Sequence, residues 1–247
     1  MSLDGEKKSK TGVFLSPRMI LPAGNPRSRD GNLLNSSEEK ALSQIGVFQT
    51  YSDAEMPIFS QGEEAEFLYI VQTGIVRISR ATSVGSRQVL GFRWAGDPIG
   101  LTADGCYLNS AHTLTAVTAW RFPVAGLRRL MSRQPQIQTQ FLAKALDALA
   151  EEQNQIVWLG QQDVVRRLAT LLVEFSQNRS CYDEEGQTLT LPVGRTDVAD
   201  YLATSTESVA RAFRKLEQKH LIGRSSPRKM VISNLEGLRH FASSGDL

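Results

Sequence analysis

The sequence predicts an α+β fold in three parts: a small antiparallel β-roll, one long helix, and a C-terminal winged helix-turn-helix. Three observations carry that prediction. Between Thr50 and Val124, short alternating runs such as "EFLYIVQTGIVRISR" are punctuated by Gly62, Gly74, Gly85, Gly91, Gly96, Gly100 and Gly105, the pattern of a small all-β roll or barrel. After Pro123 the period lengthens: Leu142, Leu149 and Ile156 recur every seven residues, with Leu146 and Leu159 between them, as in a coiled-coil seam. Finally, "RTDVADYLATSTESVARAFRKLEQKHLI", from Arg195 to Ile222, reads as two short helices broken at "ATST".

In chain order, residues 1–35 are rich in Pro, Gly and Ser with no sustained period and read as a loosely ordered arm. "NSSEEKALSQIGVF" then offers a Ser cap, acidic residues and an apolar face, the signature of a short helix. It opens the second unit, residues 36–134, which holds the roll. Residues 135–160 form the long helix. At 1.5 Å per residue, about 25 residues span ~37 Å, so the helix overhangs a small roll, and its seam of Leu142, Leu146, Leu149, Ile156 and Leu159 calls for the same helix of a second copy. The remaining unit, residues 161–247, begins with "DVVRRLATLLVEFSQNRS", an amphipathic helix with Val164, Leu168, Leu171 and Leu172 on one side. A turn and short strand, "CYDEEGQTLTLP", lead into the two-helix module.

Two helices that meet steeply need a small residue where they cross and apolar residues to pin the crossing. Ala199 supplies the first; Val198, Leu202, Val209 and Leu216 supply the second. Ser205 or Thr204 can cap the second helix, with Glu207 near its positive end. The exposed face of that helix then presents Thr206, Glu207, Ser208, Arg211 and Arg214. These are side chains that read base edges and phosphates: Arg bidentate to guanine, Glu accepting from cytosine, hydroxyls to either. "LIGRSSPRKMVIS" follows as a wing whose tip bears Arg224, Arg228 and Lys229.

Charge and composition agree with this. From Leu191 to Met230 eight bases stand against four acids, a local +4, whereas the whole 247-residue chain carries +2 and the remainder therefore −2. The positive field is concentrated where phosphates would be met. No apolar run approaches the ~18 residues that span a bilayer, which makes the cytoplasm the expected compartment. Cys106 and Cys181 lie far apart and form neither a CxxC pair nor a metal cluster; they read as structural thiols.

Taken together, "EFLYIVQTGIVRISR", "GFRWAGDPIGL" and "RTDVADYLATSTESVARAFRKLEQKHLIGR", in that order with a heptad helix between, resemble the CRP/FNR family of bacterial transcription regulators over Ser36 to Phe241. The stretch "SRQVLGFRWAGDPIGL" is closer to the FNR and FixK branches than to the cyclic-AMP branch. The resemblance implies a cyclic-nucleotide-binding-like roll and a homodimer that works with RNA polymerase, as an activator, in low-oxygen or nitrogen-oxide responses. It implies a palindromic duplex DNA site resembling TTGA with the inverse repeat TCAA. Base reading falls to Thr206, Glu207, Ala210 and Arg211, where Ala210 replaces the Ser of the FNR pattern. Phosphate contacts fall to Arg195, Thr196, Ser205, Ser208, Arg214, Arg224, Arg228 and Lys229.

Two departures set the expected ligands. Leu101 stands where the cyclic-AMP branch has a ribose-binding Glu, and Ser110 and Ala111 replace its phosphate-binding Arg-Ser pair. The stretch Gly96 to Thr118 contains no Lys or Arg, yet it has Asp97 and Asp104. A buried phosphate without a cation is poorly compensated, so no cyclic AMP is expected. The arm has no cysteine, so an FNR-type iron-sulfur cluster is not expected, nor any other cofactor or metal. His112, His220 and His240 are dispersed rather than clustered, against a metal-dependent cupin enzyme. A haem- or small-molecule-sensing member of the same family, with His112 as the candidate haem ligand, and a protein-interaction module are the alternative readings.

Overall fold

Helix α1 (Ser36–Ile45) leads into eight short strands: β1 (Val47–Tyr51), β2 (Pro57–Phe59), β3 (Phe67–Thr73), β4 (Val76–Ala81), β5 (Arg87–Arg93), β6 (Pro98–Ile99), β7 (Ser110–Thr113) and β8 (Val117–Pro123). The structure, a computed structural model, describes residues 36–82, 85–102, 105–161 and 163–244. The expected arm and Asp104 lie outside the described residues. The strands form two four-stranded antiparallel sheets, ordered β1-β8-β3-β6 and β2-β7-β4-β5. Period-2 alternation turns Val71, Val76, Ala111, Val117 and Ala119 into their shared core. Gly74 makes the β3–β4 hairpin possible: its φ is +84°, and a β-carbon there would stand 2.2 Å from the Ala116 carbonyl oxygen.

Helix α2 (Val124–Arg133) and the 27-residue α3 (Pro135–Gln161) follow. The first turns of α3 are anchored: Ile137 and Phe141 are buried with Leu42, Leu68, Phe122 and Leu127. Near its other end Trp158 packs on the core of the C-terminal domain. Between the anchors the face of the helix away from the roll is bare, with Leu142, Leu146, Leu149 and Ile156 exposed by 58, 57, 50 and 72 %. Val157 joins them, whereas Leu159 is half-buried and adds less to this seam.

The C-terminal domain starts with α4 (Val164–Ser176), whose cap Asp163 accepts a hydrogen bond from the Arg166 backbone N–H at 2.9 Å. Strands β9 (Tyr182–Asp183) and β10 (Thr188–Thr190), helices α5 (Arg195–Tyr201) and α6 (Thr206–Gln218), and strands β11 (Ile222–Arg224) and β12 (Lys229–Ile232) complete the expected module. A last helix, α7 (Leu235–Ser244), is additional to the sequence reading and buries Leu238 and Phe241. The small sheet runs β11-β12-β10-β9. Its core does not stop at the domain edge: Ile75, Val89, Phe92, Trp94 and Leu114 of the roll belong to the same apolar cluster as Phe175, Tyr201 and Phe213.

Candidate nucleic-acid interface

The crossing of α5 and α6 is built as its residues require. Ala199 is buried at the crossing, and Val198, Leu202, Val209 and Leu216 are all within 1 % of full burial. Ser205 is the cap of α6, its hydroxyl oxygen accepting from the Ser208 backbone N–H at 3.2 Å, an interaction that typically stabilises a helix by ~1 kcal/mol. The chain leaves α6 through His220 in the left-handed region. There the Leu221 N–H reaches the Leu216 carbonyl and the His220 N–H the Glu217 carbonyl, the paired bonds of a Schellman ending.

Between the helices, Ala203 has a φ of 49°, in the left-handed region that strains a β-carbon by about 1–2 kcal/mol. It is exposed, so its methyl group packs on little that would offset the strain. Ala203→Gly is therefore expected to raise stability by ~1 kcal/mol, read as about 2–4 °C in thermal midpoint. A midpoint that stays put or falls would refute this account of the turn.

With α6 so held, its outer face carries Thr206, Glu207, Arg211 and Arg214, all exposed, with Ser208 and Ala210 half-buried at its edges. Arg211 donates to the Ser208 hydroxyl oxygen at 2.8 Å. The Glu207 carboxyl is held below the usual carboxylate range, first by its own backbone N–H and then by the Ser205 hydroxyl. Thr196 is exposed in the first turn of α5. Arg228 and Lys229 stand exposed at the wing tip, where the Ser225 and Ser226 N–H groups close the turn on the Lys229 carbonyl.

Four of the expected phosphate contacts have other partners, Ser208 through the Arg211 bond just described. Arg224 is not a wing-tip cation: it makes a double hydrogen bond with Glu217, at 2.5 and 2.9 Å, and its guanidinium lies 5.5 Å from the centre of the Phe213 ring. Arg195 covers the same ring at 4.6 Å and is half-buried, so desolvation, followed by Arg224, lowers its pKa. Ser205 spends its oxygen on the cap. Pairing across the helix–wing boundary joins Glu217 and Arg224, whereas Arg211, Arg214, Arg228 and Lys229 stand exposed on this face.

The roll interior was read from the sequence as an unfavourable phosphate site, and the structure revises two parts of that reading. Asp97 does not face a ligand. It is half-buried and accepts from the Trp94 N–H at 2.9 Å, closing its own turn, and desolvation raises its pKa. A cation is also present, contributed by β5 rather than by the turn: Arg93, 3.7 Å from Glu152 of α3, lines a cavity of about 250 Å³ between roll and helix. Arg93 lies three residues before Gly96, outside the Gly96–Thr118 stretch that contains no Lys or Arg. Tyr107 stacks on Phe59 at 4.0 Å between ring centres and donates to the Phe67 carbonyl at 2.7 Å, while Ala111 is fully buried in the roll core.

His112 lies on β7 opposite Arg77, and burial, then Arg77, lower its pKa. Cys106 is exposed; Cys181 is buried, its thiol pushed up to about 11 by burial, so it stays protonated at neutral pH. Among the described residues, no helix is long and apolar enough to cross a membrane.

The Crp-like helix-turn-helix domain family matches residues 166–241, and the cyclic nucleotide-binding domain family matches residues 50–134. The nitrogen fixation regulation protein FixK of Rhizobium meliloti (strain 1021) is 34 % identical over 182 residues, covering 74 % of this chain and 81 % of that protein. The transcriptional activatory protein AadR of Rhodopseudomonas palustris is 32 % identical over 189 residues, 76 % of this chain and 79 % of its own length. The solved structure of FixK2 from Bradyrhizobium japonicum superposes with a TM-score of 0.71 at 26 % identity, covering 79 % of this chain and 96 % of that one. Roll, long helix and winged helix-turn-helix thus recur together and in the same order, and the chain belongs to the CRP/FNR family of DNA-binding transcription regulators, in its FixK-like branch.

Proposed function

We propose that this protein is a homodimeric activator of transcription that lays α6 of each copy in the major groove of a palindromic TTGA/TCAA-like site and acts with RNA polymerase in the cytoplasm. The observation that carries this is the outer face of α6. It is capped at Ser205, pinned by Val209 and Leu216, and presents Glu207 and Arg211 one helical turn apart, where an Arg can pair with guanine and a carboxylate with the opposing cytosine. Thr206 and Ala210 flank them. Arg214, Arg228, Lys229 and Thr196 hold the flanking phosphates, which fix register without specifying sequence. Ser208, already hydrogen-bonded to Arg211, orients that side chain before a base is met. The bare Leu142–Ile156 seam supports pairing of two copies, which sets half-sites about one helical turn, ~34 Å, apart. Selection of bound sequences from random duplex DNA tests activity, site and symmetry at once. A non-palindromic consensus, or no consensus, would overturn the proposal.

DNA binding is expected without cyclic AMP. Leu101 offers no acceptor for a ribose hydroxyl, Ala111 offers no donor to a phosphate, and Tyr107 stacked on Phe59 occupies space inside the roll. Arg93, the nearby cation, already faces Glu152. Calorimetry with millimolar cyclic AMP should give no saturable heat in the micromolar range, and the nucleotide should leave DNA affinity unchanged. Saturable heat, or binding that appears only with the nucleotide, would reject the expectation.

A further inference from the structure

The acids of α5 face away from the proposed DNA surface and into the roll. Arg77 on β4 is buried, only 3 % exposed, and its guanidinium donates to Glu55 at 2.7 and 2.9 Å and to Asp197 of α5 at 2.9 Å. Arg87 on β5 donates to the same Asp197 oxygen at 2.6 Å and to Asp200 at 2.7 and 3.1 Å. The Gln88 side chain amide adds a bond to the backbone carbonyl of Asp200. Beside this network Phe92 of the roll meets Tyr201 of α5 and Phe175 of α4, with ring centres 5.0 and 5.1 Å apart.

We propose that Arg77 and Arg87 are positioning residues for DNA recognition: through Asp197 and Asp200 they clamp α5 to the roll and so fix where the recognition helix of each copy points. The inference rests on the reading of the protein as a dimeric DNA-binding regulator. Its physical basis is that α5 and α6 share one core, through Val198, Leu202, Val209 and Leu216, so holding α5 holds α6. Trp94 of the roll against Phe175 and Trp158 of the long helix against Tyr201, with ring centres 5.0 and 5.5 Å apart, share in this docking, and the arginine bridges add direction to that apolar contact. The bridged groups are partly or wholly desolvated, and the buried Arg77 loses one of its two carboxylate partners if α5 lifts. The local charge count gains meaning as well: Asp197 and Asp200, which would repel phosphates, are neutralised from the other domain.

A clamp of this kind acts on geometry between half-sites, not on base reading within one. The test therefore measures affinity of the full-length protein for palindromic duplexes whose half-site separation is changed by one base pair in either direction. Wild type should show a sharp optimum. Arg87→Ala, and separately Asp200→Asn, which opens the same bridge from the other side, should lose about tenfold at the optimum and much less at the other spacings, flattening the profile. Base preference within a half-site should not change. Arg87→Lys, which keeps a cation opposite both Asp197 and Asp200, should retain most of the sharp optimum. Since Arg87 and Asp200 are both partly exposed, the single variants should keep their folded far-ultraviolet spectra. A profile that remains as sharp in Arg87→Ala and Asp200→Asn as in wild type overturns the inference alone. Failure of the wild type to bind any palindrome overturns both the inference and the reading on which it rests.

Discussion

Leu149→Asp is expected to turn the dimer into monomers and to abolish specific DNA binding at concentrations that saturate the wild type. Leu149 sits in the middle of the stretch of α3 that neither anchor covers, flanked by Leu142, Leu146 and Ile156. Fully burying a leucine side chain stabilises by about 1.5–3 kcal/mol, and in a symmetric pair the substitution acts twice while adding two facing carboxylates. Because Leu149 is half exposed in the single chain, the pair loses about 1.5–3 kcal/mol of burial before the repulsion of the carboxylates, roughly tenfold to a hundredfold in Kd. For the same reason the monomer should stay folded. Sedimentation velocity and DNA titration measure the two effects. A wild type that sediments as a monomer at micromolar concentration would remove the basis of the prediction.

Arg211→Ala should cost on the order of 1–3 kcal/mol in binding to the preferred site and relax the base preference at one position of each half-site. The guanidinium is exposed on α6, one turn from Glu207 and tethered to Ser208 at 2.8 Å, so its removal leaves the scaffold intact. The contrast is Lys229→Ala at the wing tip. It should weaken all sequences alike and flatten the slope of log affinity against log salt by ~1. Arg224→Ala should behave differently again, because it strips Glu217 of its partner and leaves a carboxylate beside the DNA face. An Arg211→Ala protein with unchanged preference at every position would take base reading away from this residue.

How far the sequence alone reaches depends on the range over which the physics acts. Helix α6 was readable in full, because a capping hydroxyl, an acid in the first turn and four pinning apolar residues all lie within one short segment. The long helix was readable from its seven-residue recurrence, since a period imposed by a partner persists in the chain without the partner. The partner of Arg224 is not legible in the sequence, because Glu217 is separated from it by the end of a helix and the start of a strand, and the Schellman ending at His220 brings them together. The same holds for Arg93, which β5 supplies from outside the turn and whose partner Glu152 lies on α3. The contacts of Arg77 and Arg87 join residues 110 to 120 positions apart, and no local pattern marks either partner. Helix α7 does carry a helical spacing in its buried Leu238, Phe241 and Ala242, a signal that the sequence offered.

The bare middle of α3 also bears on how the protein would respond to its own abundance. If two chains must meet before a site can be held, then in the dilute range the concentration of DNA-competent dimers follows the square of the concentration of chains, by mass action. Halving synthesis would then leave roughly a quarter of the dimers. Unpaired chains, with five large apolar side chains of one helix open to water, would meanwhile be the form best suited to capture by proteases and chaperones, which act on exposed apolar surface. On the proposed reading, the leucine seam would make promoter occupancy a steep function of supply.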